Sequence, residues 1–247
     1  MFRPVVLIPV YNHPVTIGDM VHGVRAHHLQ CLLVDDGSDP DCAQVLDQLA
    51  RSHPDDVVLL RLDRNQGKGA AVMTGLRRAH ALGYTHVLQI DADGQHDCAD
   101  IPLFLSRARE HPLAVINGCP VYDKTVPRSR LYARYATHIW VWINTLSFDI
   151  RDSMCGFRVY PLHSVMGLLD GTKVGRRMDF DTEVVVRLHW RGLRVLNQRT
   201  RVTYPRDGLS HFRLLRDNLL ISRMHAVLFL GMLWRAPMLL WRKAHQG

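Results

Sequence analysis

The sequence is poor in cysteine and lacks the usual cysteine patterns. Its 247 residues hold five cysteines, an odd number with no C-x-x-C pair. That argues against a disulfide framework and fits a reducing compartment. No stretch rich in Gly, Ser or Pro interrupts the chain, and no segment repeats. Hydrophobic residues make up 47% and charged residues 22%, which excludes disorder and low complexity. The N-terminus has no signal pattern. Met1-Phe2-Arg3-Pro4 leads straight into Val5–Val10, too short for a signal core and without a cleavage site after it. The expected location is therefore the cytoplasm. There is no G-x-x-x-x-G-K-S/T run, which excludes a P-loop. A dinucleotide fingerprint also fails, because Val72 stands where Gly67-x-Gly69-x-x would need Gly or Ala. No H-E-x-x-H occurs among the fifteen histidines.

Acidic residues are missing after Asp217. That stretch carries Arg223, Arg235, Arg242 and Lys243 among Leu, Phe and Trp, and contributes to a formal net charge of +8. A nucleic-acid surface would set basic residues among polar neighbours, so no nucleic-acid partner is expected. Basic residues mixed with Leu and Trp fit a membrane surface. Met224–Trp241 is eighteen residues, roughly 27 Å as a helix. Arg235 near its middle costs about 2.5–3.5 kcal/mol in a span. The segment is thus expected to lie in the interface, peripheral on the cytosolic face. The alternative is a helix packed on the core or in an oligomer contact; the oligomeric state is open.

Short apolar runs alternate with helical patterns. Strands are expected at Val5–Val10, Cys31–Val34, Val57–Leu62, His86–Ile90 and Ala114–Asn117. Helices are expected near 14–26, 41–51, 70–82 and 101–110. This alternation implies an α/β fold with a parallel sheet covered on both faces. Residues from about Cys119 to Arg130 read as a flexible loop. A long helix (about 130–148), a strand (156–160), a helix (181–191), a strand (193–202) and C-terminal helices follow. The organisation expected is a domain over 1–212 and an amphipathic segment over 213–247.

Ligands in such folds bind beyond the carboxyl ends of the strands. The first strand ends in Pro9-Val10-Tyr11-Asn12, the second in Asp35-Asp36-Gly37-Ser38, and the fourth in Asp91-Ala92-Asp93-Gly94-Gln95-His96. Carboxylates gathered on one edge repel unless a cation joins them. Asp91 and Asp93 can reach one hard cation, with Gln95 adding an amide oxygen, which suits Mg²⁺ or Mn²⁺ shared with phosphates. A lone aspartate there would simply cap a helix; the cluster asks for more. Gly67-Lys68-Gly69 opens a helix, either to approach a phosphate or to pack tightly on the sheet.

Together with Ile8-Pro9-Val10-Tyr11-Asn12, Asn65-Gln66-Gly67-Lys68-Gly69 and the later Asp152-Ser153-Met154-Cys155-Gly156-Phe157-Arg158, these motifs resemble family 2 glycosyltransferases. The polyprenyl- and dolichyl-phosphate mannosyltransferase type is the most similar. The resemblance covers residues 4 to about 205 and implies a GT-A fold, a nucleotide-diphosphate sugar (UDP or GDP) and inverting transfer. Pro9, Tyr11, Asp35 and Asp36 match positions that cradle the nucleoside. Asp91, Asp93 and Gln95 match the metal and diphosphate positions, with Asp93 catalytic. Gly67, Lys68 and Arg158 join the nucleotide-sugar set. Asp181, in Met178-Asp179-Phe180-Asp181-Thr182-Glu183, is either the base or a helix N-cap. An anionic phosphate acceptor needs no base, and the cap then suffices. Tyr204–Arg213 resembles a loop that closes over the diphosphate, with Arg206, Ser210, His211 and Arg213 as donors. Among the histidines only His96 and His211 stand out. The function expected is metal-dependent transfer to a membrane-borne lipid acceptor such as a polyprenyl phosphate. The alternatives are a hydroxyl acceptor, or a catalytically silent sugar-nucleotide-binding scaffold.

Overall fold

A computed structural model describes residues 1–122, 128–203 and 213–245. The chain runs β1 (Pro4–Val10), α1 (Ile17–Arg25), β2 (Cys31–Asp35), α2 (Pro40–Ser52), β3 (Val57–Arg61), α3 (Lys68–Ala81), β4 (His86–Gln89) and α4 (Ile101–Glu110). It continues through β5 (Val115–Tyr122), α5 (Arg128–Thr145), β6 (Arg158–Pro161), α6 (Leu162–Gly171), α7 (Phe180–Trp190), β7 (Val195–Val202) and α8 (Leu214–His245). The seven strands form one sheet in the order β3-β2-β1-β4-β6-β5-β7.

Side chains alternate across each strand, and each set finds its own core. Val5 and Leu7 of β1 pack with α3, α6, α7 and α8. Val6, Ile8 and Val10 pack with α1, α2 and α4 on the other face.

The sheet is mixed rather than parallel. β1, β2, β3 and β4 pair in parallel, as do β5 and β7. β6 runs antiparallel between β4 and β5. Because it runs backwards, the start of β6 lies at the edge where β1, β2 and β4 finish. Cys119–Tyr122, expected as loop, is strand: it pairs with Arg199–Val202 of β7, and this ladder outweighs the weak strand propensities of Gly118 and Pro120. Residues 123–127 lie outside the described residues. α6, not expected from the sequence, caps the apolar cluster with Leu162, Val165, Leu168 and Leu169.

The C-terminal segment is one helix of 32 residues that continues through Pro237, an exposed position where the lost N–H bond falls on the solvent side. Met224, Leu228, Met232 and Leu239 bury into the shared core, whereas Leu219, Leu230, Trp234 and Trp241 stay exposed. Leu215–His245 is long and apolar enough to cross a membrane by length and composition.

Candidate active site

Asn12, in the left-handed region at φ 55°, ties the first two strand ends together. Its N–H donates to Ser38 Oγ at 3.1 Å, and its Oδ1 accepts from Asp39 N at 2.8 Å. Pro9 is buried in β1 opposite Val34, and Tyr11 is half-buried at the strand's end. Asp35 accepts from Ser38 N at 2.8 Å and from Arg61 Nε at 2.8 Å. Asp36 receives the N–H groups of Gln66 (2.7 Å) and Gly67 (2.8 Å). Burial pushes the Asp36 carboxyl above its ordinary value, partly offset by those N–H groups and by Arg177. Asp35 and Asp36 thus set the shape of the loop before α3.

Gly67 has φ +103°, and a Cβ there would lie 2.5 Å from Arg176 O. At Gly69 a Cβ would lie 2.5 Å from the Cβ of Phe180. Close packing therefore accounts for both glycines, and the Gly67 N–H points to Asp36, not to a ligand.

Lys68 is the charge centre of the site. Its ammonium lies 2.8 Å from Asp91 and 2.7 Å from Asp181 Oδ2. Burial disfavours its charge, but Asp181 and Asp91 outweigh this and raise its pKa. Burial likewise opposes charge on Asp91, yet Lys68 holds that carboxyl below the ordinary range. Asp181 Oδ1 accepts from Gln89 Nε2 at 3.0 Å. Asp181 is therefore not the N-cap of α7; Asp179 holds that position, without a side-chain cap bond. The carboxylate turns inward because a lysine and a glutamine from neighbouring elements await it. Glu183 is engaged as well, by Gly175 N at 2.7 Å and by Arg187 at 2.7 Å.

Asp93 accepts from Gln95 N at 3.0 Å and has no ion pair among the described residues. Burial, and then the neighbouring Asp91 charge, push its carboxyl up to about 6. Asp91 Oδ1 is buried against the Lys68 ammonium at 2.8 Å. No group of three or more His, Cys, Asp or Glu placed to hold a metal occurs among the described residues. Two crowded carboxylates and an adjacent amide suit a divalent cation that completes its shell with phosphate oxygens. They do not suit an all-protein cage. Gly156, just before β6, makes room for Asp91: a Cβ there would sit 2.1 Å from Asp91 Oδ2.

Arg158 takes a place the sequence did not indicate. It is fully buried, and its guanidinium serves Asn117 Oδ1, Tyr160 OH, Asp181 O, Ser153 O and Cys155 O. All five N–H groups are used, so it positions the Asp181 segment and does not meet a ligand. His96 is a core histidine packed 5.3 Å from the Phe157 ring, its pKa lowered to about 4 by burial. Arg206, Ser210 and His211 lie outside the described residues, while Arg213 N caps onto Asp217 at 2.7 Å.

Sequence reasoning missed Gln89 and Asn117, single polar residues inside apolar strands. It also missed Arg134, which grips Asp152 at 2.5 and 2.7 Å. Asp152 in turn accepts from Met154 N and Cys155 N at 2.9 Å and shapes the entry to β6. A polar residue within an otherwise apolar strand run was the signal available for Gln89.

Residues 5–166 match the model for glycosyl transferase family 2. An uncharacterized protein of Methanocaldococcus jannaschii is 24% identical over 213 residues, covering 84% of this chain and 91% of that protein. The polyprenol monophosphomannose synthase of Mycolicibacterium smegmatis is 35% identical over 64% of this chain, which spans 61% of that relative's length. Among solved structures, the glucosyl-3-phosphoglycerate synthase of Mycobacterium tuberculosis, determined with Mn²⁺ and UDP-glucose, aligns with TM-score 0.67. It is 15% identical, and the alignment covers 94% of this chain and 79% of that one. The seven-stranded sheet with its Asp91-x-Asp93 edge is accordingly a GT-A fold, and the chain belongs to glycosyl transferase family 2, a glycosyltransferase by family.

Proposed function

We propose that the protein transfers a sugar, with inversion, from a nucleoside-diphosphate sugar to an anionic phosphate acceptor carried by a lipid. The observation that carries this reading is the state of Asp181. The only acid placed by sequence as a base is held by Lys68 and Gln89 and is 5% exposed, and Glu183 is engaged by Gly175 and Arg187. A hydroxyl acceptor must surrender a proton as it attacks; a phosphate oxygen arrives as an anion and needs no base. Relatives named for polyprenol and undecaprenyl-phosphate acceptors support the same choice.

The nucleoside would rest against Pro9, Tyr11 and the loop that Asp35 and Asp36 shape. Asp91, Asp93 and Gln95 would hold Mg²⁺ or Mn²⁺, which when bound neutralises charge on the diphosphate. The acceptor phosphate oxygen bonds to the anomeric carbon from the face opposite the diphosphate. The carbon–oxygen bond to the diphosphate breaks, and its electron pair leaves on the nucleoside diphosphate. Lys68 holds Asp91 and Asp181 in place throughout, so the site enters the reaction without reorganising.

The exposed Leu219, Leu230, Trp234 and Trp241 of α8 and Ile139, Trp140 and Ile143 of α5 would rest on the membrane surface. Arg223, exposed beside them, would meet anionic headgroups. The buried inner face of α8 favours lying in the interface over spanning. Of the other basic residues on this helix, Arg235 covers Trp190 at 4.8 Å and Arg242 donates to Trp190 O at 2.7 Å, so these two serve packing.

The test is a donor panel with Mn²⁺, offered farnesyl phosphate or farnesol. Transfer to the phosphate and not to the alcohol is expected. Equal transfer to both, or to the alcohol alone, would overturn the acceptor class.

A further inference from the structure

One row of the central sheet changes character part-way across. Residues directly opposite on paired strands share a face. Val58 of β3, Leu32 of β2 and Leu7 of β1 stand in one such row, and all three are apolar. From Leu7 the row continues through Gln89 of β4, Arg158 of β6, Asn117 of β5 and Asn197 of β7, and all four are polar. Gln89, Arg158 and Asn117 are fully buried. A buried hydrogen-bonded group gains little over an apolar one of the same shape, and a missing partner costs about 1–3 kcal/mol. The apolar half shows that hydrocarbon fits this row, so stability alone does not account for the polar half.

The hydrogen bonds run along the row and end at the active site. Asn117 Nδ2 donates to Asn197 Oδ1 at 3.4 Å, and Arg158 Nε donates to Asn117 Oδ1 at 2.8 Å. Toward β4, Arg158 Nη1 donates to Tyr160 OH at 3.2 Å, and Tyr160 OH donates to Gln89 Oε1 at 3.3 Å. A tyrosine hydroxyl has one proton to give; with Arg158 on its oxygen, that proton goes to Gln89. The amide oxygen of Gln89 is thereby satisfied, and its Nε2 donates to Asp181 Oδ1 at 3.0 Å. The reverse orientation of the amide would set two acceptors against each other. Nε2 carries a second N–H, and Asp91 lies two residues along the chain. Burial opposes charge on Asp91; the Lys68 and His96 charges, and then hydrogen bonds from Lys68 and Gln89, lower its carboxyl. Asp91 and Asp181 are thus joined twice, by the Lys68 ammonium and by the Gln89 amide.

The two joints differ in kind. An ammonium on a flexible four-carbon stem is a point charge that tolerates shifts of its partners. A planar amide held at both ends fixes direction. We propose that Gln89, with Tyr160 behind it, is a positioning residue for the donor: it sets the spacing of Asp91 and Asp181 and so shapes the seat of the divalent ion and the diphosphate. The proposal rests on the metal-dependent donor reading above.

The experiment uses the full chain with Mn²⁺ and UDP or GDP, whichever the parent binds, and the variants Gln89→Met, Tyr160→Phe and Asn197→Leu. Calorimetry reads nucleotide affinity with and without the metal. The electron paramagnetic resonance spectrum of bound Mn²⁺ reads the ion's surroundings, and thermal melts read the fold. Gln89→Met keeps the side chain's length and loses the amide. Its Mn²⁺-dependent affinity should fall roughly ten- to a hundredfold with an altered Mn²⁺ spectrum, while the metal-free affinity stays within about twofold of the parent. Tyr160→Phe should move the same readouts in the same direction by roughly two- to tenfold, and it decides the question if Gln89→Met does not fold. Asn197→Leu breaks the row at its far end, so it should lower Tm and leave Mn²⁺ affinity and spectrum as in the parent. Parent-like Mn²⁺ affinity and spectrum in both Gln89→Met and Tyr160→Phe, whatever their Tm, would mean that the row only holds the fold, and the proposal fails. It fails equally if Asn197→Leu loses Mn²⁺ affinity as Gln89→Met does, because the effect is then general loosening. A parent that binds neither nucleotide with Mn²⁺ is a different result: the donor reading itself then falls.

Discussion

Replacing Lys68 by Met tests the electrostatic account of the site. The ammonium lies within 2.8 Å of two carboxylates, and its side chain is 17% exposed. Met keeps the stem's volume but strips both acids of their cation. Breaking a buried pair by removing one partner costs about 3–5 kcal/mol, because the remaining charge is uncompensated. Here two charges are stranded, although water reaching Asp91 moderates the penalty. For a chain of this size each kcal/mol moves Tm by roughly 2–4 °C, so a drop of roughly 6–20 °C is expected. The sign with pH follows: the stranded acids gain by taking up protons, so the gap between Lys68→Met and parent should narrow as pH falls from 7 to 5. Adding Asp181→Asn removes one stranded charge. The double variant should therefore be more stable than the sum of the singles by at least about 1 kcal/mol. Urea titrations of the four proteins at two pH values complete the cycle. A Lys68→Met protein within 1 kcal/mol of the parent, or strict additivity with Asp181→Asn, would refute the claim that Lys68 holds these acids.

Other consequences can be checked independently. Gly156→Ala puts a Cβ 2.1 Å from Asp91 Oδ2, so it should cost about 1–3 kcal/mol and weaken Mn²⁺-dependent nucleotide binding; thermal melts and calorimetry read both. Asp93→Ala should abolish the Mn²⁺ dependence of nucleoside diphosphate binding while leaving Tm nearly unchanged, since Asp93 has no ion pair among the described residues. Arg158→Lys keeps the charge but forfeits most of the five N–H contacts, so several kcal/mol of stability should disappear in urea titration. His225 is buried, with a pKa lowered to about 4, so the fold favours its neutral form. Its contribution is full above the unfolded value near 6.5 and is lost as pH falls toward 4, up to roughly 3 kcal/mol. The stability difference between parent and His225→Phe should change over that window and be flat above it.

The polar clusters at the ends of β1, β2 and β4 were legible because parallel strands bring their carboxyl ends to one edge whatever the details of packing. Strand direction was not: a run such as Phe157–Tyr160 reads the same both ways, so the alternation implies a parallel sheet and does not reveal the reversal of β6. Cys119 and Pro120 read as loop because the eight-residue ladder with β7 is a long-range fact. Asp181 and Arg158 illustrate a limit of another kind. An acid near a helix start reads as a cap unless its partners, Lys68 and Gln89, are seen to converge on it from over 90 positions away. A fully buried arginine is rare enough that a motif arginine reads as a ligand contact, until its five acceptors are counted.

The backward course of β6 also bears on how the chain assembles. β6 is an interior strand, yet its pairing with Gln89 of β4 spans 69 positions, as Arg158 opposite Gln89 requires. Pairings that distant in sequence form slowly. Until β6 inserts, the block β3-β2-β1-β4 has an open apolar edge at His86–Gln89, the sort of edge that recruits other chains. Chains shortened to end before residue 158 should therefore aggregate, while those that reach Pro161 and the following α6 have the means to seal the edge. Light scattering of a truncation series during refolding would locate the point at which that exposure ends.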